Sequence, residues 1–302
     1  MPTRTLARVA CAIMLVVTAA AVQAKDVTLN HQGLALNANL ELAAGKKPAD
    51  GVILITHGAL GHRRMEIVTS LQKLFKERGY STLAINLSLG LSNRHGMYDC
   101  KVPHRHRYTD AADEIGVWVD WLKKQGVTRV AVLGHSRGGA QTAVYAAERD
   151  NALVKAVVLL APAIGENTDA ATYQQRFRQP LAPLLEKAQQ LVKGGKGGTV
   201  IEHIGLLTCN DTSASADSFV SYYGPDPRLD TPHLLPKIRQ PVFVVVASKD
   251  NVVVDLDKKV APLADGKRVR MIVIDGANHL FHGFAIEDTV DAAVTFLKAA
   301  GY

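Results

Sequence analysis

Short apolar runs recur along the chain, each bounded by glycine, charge or turn residues, with longer amphipathic stretches between them. Asp26–Asn30 and Leu34–Leu42 alternate apolar and polar residues across a Gly33 turn, the pattern of two antiparallel strands. Gly51–His57 is continuously apolar, as a strand buried on both faces should be. Met65–Arg78 follows with Ile67, Leu71, Leu74 and Phe75 at helical spacing, and Ser81–Leu87 reads as the next strand. Asp110–Lys124 predicts a helix, Thr128–Leu133 a strand, Ser136–Arg149 a helix opened by small residues, and Leu153–Leu160 another strand. Strand and helix in such strict alternation imply a parallel sheet with helices on both faces.

From Ile164 to about Arg239 the rhythm breaks. Helical pieces at Tyr173–Val192 and Ser215–Tyr223 are separated by Gly194-Gly195-Lys196-Gly197-Gly198 and by turns with proline, and no buried-strand signal stands out. The segment is too long for a plain loop in a compact domain, so a lid or small helical cap is expected. The strand signal resumes at Pro241–Ala247 and Arg268–Ile274, and Ile286–Ala299 reads as a closing helix.

The first residues do not belong to this pattern. Arg4 and Arg8 precede an apolar run from Val9 to Val22, which ends in Val22-Gln23-Ala24. That is the form of a secretory signal peptide over 1–24, with cleavage expected between Ala24 and Lys25, leaving a mature domain over 25–302. Cys11 lies inside the run, not at the cleavage point, so a lipoprotein signal is not expected. The run is short for a bilayer core of about 30 Å, and no stable membrane span is expected after cleavage.

Export changes the reading of composition. An apolar content of 47 % and a charged content of 21 % are globular values, enough to build a full core. The formal net charge of +7 loses Arg4 and Arg8 with the signal. Arg63-Arg64 and His104-Arg105-His106-Arg107 lack interleaved aromatics, so they read as solvated faces and no nucleic-acid partner is expected. Of three cysteines the mature chain keeps Cys100 and Cys209, the even count that one disulfide leaves in an oxidising compartment; two separate buried thiols are the alternative.

The chemistry-bearing stretch is Gly134-His135-Ser136-Arg137-Gly138-Gly139, where an apolar strand meets a helix. A turn tight enough to stand a serine hydroxyl clear of the sheet needs small residues at 134 and 138, because the two backbones nearly touch there. The hydroxyl needs a base, and the base an orienting acid. Asp250 follows the Phe243–Val246 strand and His279 follows the Arg268–Ile274 strand, so both should emerge at the sheet edge that carries Ser136. His282 is a later candidate base. Asp275 more naturally shapes its turn, Asp255 and Asp257 look like helix-start residues, and Asp211 and Asp226 lack a strand to position them. The oxyanion donors expected are the N–H of Arg137 and, from His57-Gly58-Ala59-Leu60-Gly61, that of Ala59 or else Leu60.

Taken together, His57-Gly58-Ala59, the Ser136 elbow, Asp250 and His279 resemble the α/β-hydrolase superfamily over about residues 51 to 300. The resemblance implies the α/β-hydrolase fold, a mostly parallel central sheet with helices on both faces and a helical cap or lid inserted after the sixth strand, and the order Ser, Asp, His. Many cap-bearing members carry Asp-x-x-Gly-x-Gly-x-Ser after the fourth strand, whereas this chain has Asn86-Leu87-Ser88-Leu89-Gly90-Leu91-Ser92. The expected function is an exported, periplasmic or secreted serine hydrolase acting on a small-molecule ester or acyl substrate. A peptidase, amidase or thioesterase on the same triad is the alternative, and a non-catalytic binding protein retaining the fold is the rival from another class. Ser136 excludes an aspartyl nucleophile, and no cysteine stands at the elbow.

No cofactor is expected. His95, Asp99, Cys100, His104 and His106 lie close in sequence, but His-x-His alone is not ligand spacing, so a solvated His-rich loop is expected and no metal. If Cys100 and Cys209 pair, this loop is tied to the cap and becomes a wall of the substrate pocket. Tyr222-Tyr223-Gly224-Pro225 reads as a packed turn in preference to an aromatic clamp.

Overall fold

The computed structural model describes residues 24–302; the expected leader lies outside them apart from Ala24. The apolar runs become strands β1 (Lys25–His31), β2 (Leu34–Glu41), β3 (Val52–Thr56), β4 (Ser81–Asn86), β5 (Val130–His135) and β6 (Val154–Leu160). After them come β7 (Val200–Leu206) and β8 (Cys209–Ser215), a separate hairpin, then β9 (Val242–Ala247) and β10 (Val269–Ile274). The main sheet has eight strands in the order β1-β2-β4-β3-β5-β6-β9-β10. β1 and β2 are antiparallel, joined by a Gln32-Gly33 turn with φ of 48° and 81°, and β2 runs antiparallel to β4. From β4 to β10 every pairing is parallel.

Helices cover both faces. They are α1 (Glu66–Glu77), α2 (Asp110–Lys124), α3 (Arg137–Glu148), α4 (Ala170–Phe177), α5 (Leu181–Lys193), α6 (Ala216–Tyr223), α7 (Thr231–Leu234), α8 (Leu256–Val260) and α9 (Ala285–Ala299). Alternate residues of one strand enter different cores because successive side chains point to opposite faces. Val52 and Leu54 of β3 join Ile115, Trp118 and Val119 of α2 and Ala143 and Val144 of α3. Ile53 and Ile55 join Ile67, Leu71 and Phe75 of α1 and Val290 and Leu297 of α9. Every residue of β3, β4 and β5 is buried, which explains their continuous apolar character.

The segment between β6 and β9 differs from the expected helical cap. The helix expected over Tyr173–Val192 is two: Arg178 takes a left-handed conformation with φ 57°, and Pro180 biases the residue before it away from helical backbone. Residues 200–215 form the β7–β8 hairpin, with Leu207 in its turn at φ 58°. Its second strand, Cys-Asn-Asp-Thr-Ser-Ala-Ser, carries little apolar signal because partners outside the main sheet hold it. Thr212 Oγ1 donates to Cys100 O (2.6 Å), His104 N to Ser213 O (2.8 Å) and Ser215 N to His104 O (2.9 Å). Tyr173 Oη donates to Gly205 O (3.0 Å) and accepts from Gly205 N (3.2 Å), fastening α4 to β7.

Two basic clusters are less solvated than their composition suggests. Arg63 is 2 % exposed and pairs with Asp26 at 3.1 Å, while Arg64 stays at the surface. His104 and His106 are buried and hydrogen bonded to each other at 3.0 Å, and His106 Nδ1 meets Tyr222 Oη at 2.8 Å. Burial pushes these imidazoles down to about 4 and about 3, so they are neutral side chains of a packed loop, not a solvated one. Tyr222 and Tyr223 are buried in the hydrophobic core. Among the described residues no group of His, Cys, Asp and Glu is arranged to hold a metal ion, and no helix is long and apolar enough to cross a membrane.

A disulfide joins Cys100 to Cys209, with Cα atoms 5.5 Å apart at a sequence separation of 109. Replacing both with serine is expected to lower the unfolding free energy by about 4 kcal/mol, because the cross-link restricts a long loop in the unfolded chain. Denaturant titration checks this: an unchanged midpoint would mean that the bridge does not constrain the unfolded ensemble.

Candidate active site

β5 ends at His135 and α3 begins at Arg137, leaving Ser136 alone in the turn with φ 55° and ψ −126°. Non-glycine residues rarely adopt such a backbone, which costs about 1–3 kcal/mol and persists only when its surroundings enforce it. Here they do. Ser136 N donates to Leu160 O (2.9 Å), and Ser136 O accepts from Ala140 N and Ala163 N (both 3.1 Å). A Cβ at Gly138 would collide with the His57 carbonyl, and one at Gly134 with the Gly138 carbonyl and Thr142 Oγ1.

Parallel pairing of β6, β9 and β10 brings the acid and the imidazole to the same edge. Ser248 N donates to Ile274 O (3.1 Å) and Lys249 N to Ala277 O (2.8 Å), locking the loops after β9 and β10 together. Asp250 Oδ1 accepts from Val252 N (2.7 Å) and Val253 N (2.9 Å), which leaves Oδ2 to accept from His279 Nδ1 at 2.8 Å. With that proton on Nδ1, Nε2 is the acceptor for the Ser136 hydroxyl, 2.9 Å away. Burial raises the affinity of Asp250 for a proton, but its bonds to His279, Val253 and Val252 outweigh this and hold its carboxyl below the usual range. A buried neighbour steadies the imidazole: His135 Nε2 donates to the His279 carbonyl (2.8 Å), and burial pushes His135 down to about 4.

The other candidates lie elsewhere. His282 Nδ1 accepts from Asn278 Nδ2 (3.0 Å), and Asp275 accepts from Ser248 Oγ (3.3 Å) within its turn. Asp255, at φ 58°, pairs with Lys258, and Asp257 sits in the first turn of α8. Asp226 pairs with Arg228 (2.6 Å), and Asp211 meets His203 (3.3 Å) at the hairpin surface.

The loop after β3 lies against the elbow: a Cβ at Gly58 would stand 3.1 Å from Ser136 Cβ. Ala59 has φ 27°, and the N–H groups of Ala59, Leu60 and Arg137 have no acceptor among the described residues. What holds this loop is not evident from the sequence. Buried His57 donates from Nδ1 to Gly58 O (3.1 Å) and accepts at Nε2 from Leu87 N and Arg94 Nη2 (both 3.1 Å). Burial, reinforced by Arg94, pushes His57 down to about 3. Arg94 is itself buried and donates to the carbonyls of Leu87 (2.8 Å from Nε) and Gly96 (2.5 Å). Asn86 Nδ2 donates to Arg94 O (2.7 Å), and buried Glu114 accepts from Ser88 N (2.8 Å) and Ser88 Oγ (2.5 Å). Residues 86–94 therefore brace the loop beside Ser136.

A cavity of about 290 Å³ opens over Ser136 and His279. Its apolar lining comes from Leu60, Met65, Met97, Val252, Val253 and Leu280. The segment after β6 adds Asn167, Arg176, Leu207 and Thr208, so the hairpin turn reaches the cavity. The Cys100 loop contributes Met97; the disulfide itself is not part of the lining.

Fold and geometry agree with the family comparison: residues 52–292 match the alpha/beta hydrolase family, and the chain belongs to it. No curated protein matches the chain by sequence. Among solved structures it is similar to Est1E from Butyrivibrio proteoclasticus, with 20 % identity, a TM-score of 0.62, and 91 % of this chain and 98 % of that one covered. The Pyrococcus furiosus esterase Pf2001 is similar at 18 % identity and TM-score 0.62, covering 92 % of this chain and 91 % of that one. For dienelactone hydrolase from Anabaena variabilis the values are 19 %, 0.56, 92 % and 97 %.

Two outcomes follow. Gly138→Ala should destabilise the protein by about 3 kcal/mol, since the clash is with a carbonyl that cannot rotate away; a denaturant midpoint within error of wild type would contradict that contact. Burial raises the Glu114 carboxyl from 4.5 to about 7, despite its bonds to Ser88. Between these values the folded protein holds a proton that the unfolded chain releases, so this group's contribution to stability falls as pH rises through that window. Glu114→Gln should therefore gain in melting temperature relative to wild type between about pH 5 and about pH 8; a constant difference would argue against a raised carboxyl.

Proposed function

We propose that the protein is an exported serine hydrolase that cleaves carboxylic esters of small molecules. The observation that carries this reading is the continuous hydrogen-bond chain Ser136 Oγ, His279 Nε2, His279 Nδ1, Asp250 Oδ2, at 2.9 and 2.8 Å, on the floor of an apolar cavity. Ser136 Oγ attacks the ester carbonyl carbon while His279 takes its proton, and Asp250 holds the imidazole and stabilises its charge. The N–H groups of Ala59 and Arg137 receive the oxyanion. Collapse breaks the bond to the alcohol oxygen, which takes the proton from His279 and leaves an acyl group on Ser136. Water then attacks the acyl-enzyme, giving a proton to His279, and the second collapse returns that proton to Ser136 as the acid departs. Ester chemistry is supported by the apolar lining and by similarity in fold to a protein described as an esterase, Pf2001, and to Est1E, solved with ferulic acid bound. Export is supported by Arg4, Arg8 and the Val9–Val22 run, and by the pairing of Cys100 with Cys209.

A fluorophosphonate probe should label the folded wild-type protein at Ser136, and labelling should vanish in Ser136→Ala. On p-nitrophenyl esters, Ser136→Ala and His279→Ala should each lower kcat by roughly four orders of magnitude or more. Hydrolysis of amino-acid anilides in preference to esters would reassign the bond cleaved; absence of labelling would remove the serine mechanism itself.

A further inference from the structure

We infer that Arg176 forms a carboxylate subsite in the wall of the Ser136 cavity, so that the ester cleaved carries a carboxylate at the end of an apolar chain. The inference rests on the serine-hydrolase reading and names its substrate class. Arg176 lies in the last turn of α4 and lines the same cavity as Ser136 and His279. Nη1 donates to Leu207 O at 2.9 Å, which fixes the guanidinium at the hairpin turn. One of its five N–H donors is used in this way, and among the described residues Arg176 forms no ion pair.

The charge around it is lopsided. Among the described residues no aspartate or glutamate lines the cavity. Asp250 stands behind His279 with its side chain 3 % exposed, already engaged by three hydrogen bonds. A neighbouring hollow shares Asn167, Arg176 and Val252 with this cavity; the acid in its lining, Glu166, is paired with Lys259. The other arginine of the cavity, Arg137, is buried, with its guanidinium over the Tyr108 ring at 5.9 Å. Arg176 is therefore the exposed guanidinium facing the cavity, and a planar fork of donors matches a carboxylate better than any neutral group. The remaining lining, Leu60, Met65, Met97, Val252, Val253 and Leu280, suits a methylene or ring spacer between carboxylate and ester.

Monoethyl esters of straight-chain dicarboxylic acids, set against ethyl esters of monocarboxylic acids of equal length, test the acyl side. Acetate esters of ω-hydroxy acids against alkyl acetates of equal length test the alcohol side. Wild type should show the higher kcat/KM on the carboxylate-bearing member in at least one set. In Arg176→Gln that ratio should fall by about tenfold or more, the effect of losing a charge-assisted hydrogen bond. Arg178→Gln removes the same charge from the neighbouring hollow and should leave the ratio within about twofold, which separates a local subsite from general attraction of anions. Circular dichroism of both variants checks that they fold. Wild type that cleaves the neutral esters without favouring the carboxylates, or an equal fall in both arginine variants, overturns the subsite and leaves the hydrolase reading standing. Failure on every ester, together with absent fluorophosphonate labelling, overturns the hydrolase reading, and the subsite falls with it.

Discussion

Where β3 ends and α3 begins, backbone meets backbone: Gly138 lies so close to the His57 carbonyl that no side chain fits between them. This approach decides how the site is built. It turns the chain sharply at Ser136, and it sets the Gly58-Ala59 loop against the serine, so the serine hydroxyl and the candidate oxyanion donors share one corner. Parallel strands can crowd their ends in this way because both sheet faces are already sealed by helices, leaving the edge of β3, β5, β9 and β10 as the place where polar groups gather.

Burial then simplifies the proton chemistry. His57 and His135 flank the corner, and burial keeps both imidazoles neutral through the range in which a soluble histidine would titrate. Each becomes a fixed strut: His57 clamps the loop carbonyl at Gly58, and His135 clamps the backbone of His279. Three histidines crowd the serine, yet only His279 meets both a hydroxyl and a carboxylate.

The legible parts of the fold were those with local causes. Continuous apolar runs mark β3, β5, β6 and β9 because both faces of those strands are covered. Ser136, Asp250 and His279 could be read from their positions just past strand ends, and the Gln32-Gly33 hairpin from its turn. The β7–β8 hairpin was opaque for a physical reason: Asn210, Asp211 and Ser213 look like loop residues, and a disulfide, Thr212 and the backbone of His104 supply what apolar packing does elsewhere. Arg94 was invisible for a similar reason. A buried arginine satisfied by carbonyls leaves no pattern in sequence, although it secures the loop beside the serine. The inserted segment is helical in part, and it departs from the sequence reading where Arg178 and Pro180 divide one helix and where the hairpin replaces coil.

The tether between Cys100 and Cys209 separates two vulnerabilities. Ser136, Asp250 and His279 hang from the main sheet, whereas Leu207 and Thr208, which directly precede Cys209, form a wall that the disulfide helps to anchor. Reduction would remove that tether and leave the hairpin to its hydrogen bonds with Cys100, His104 and Tyr173, while the elbow keeps its place in the sheet. The cavity wall thus answers to the redox state of its surroundings, and the elbow to the geometry of the sheet.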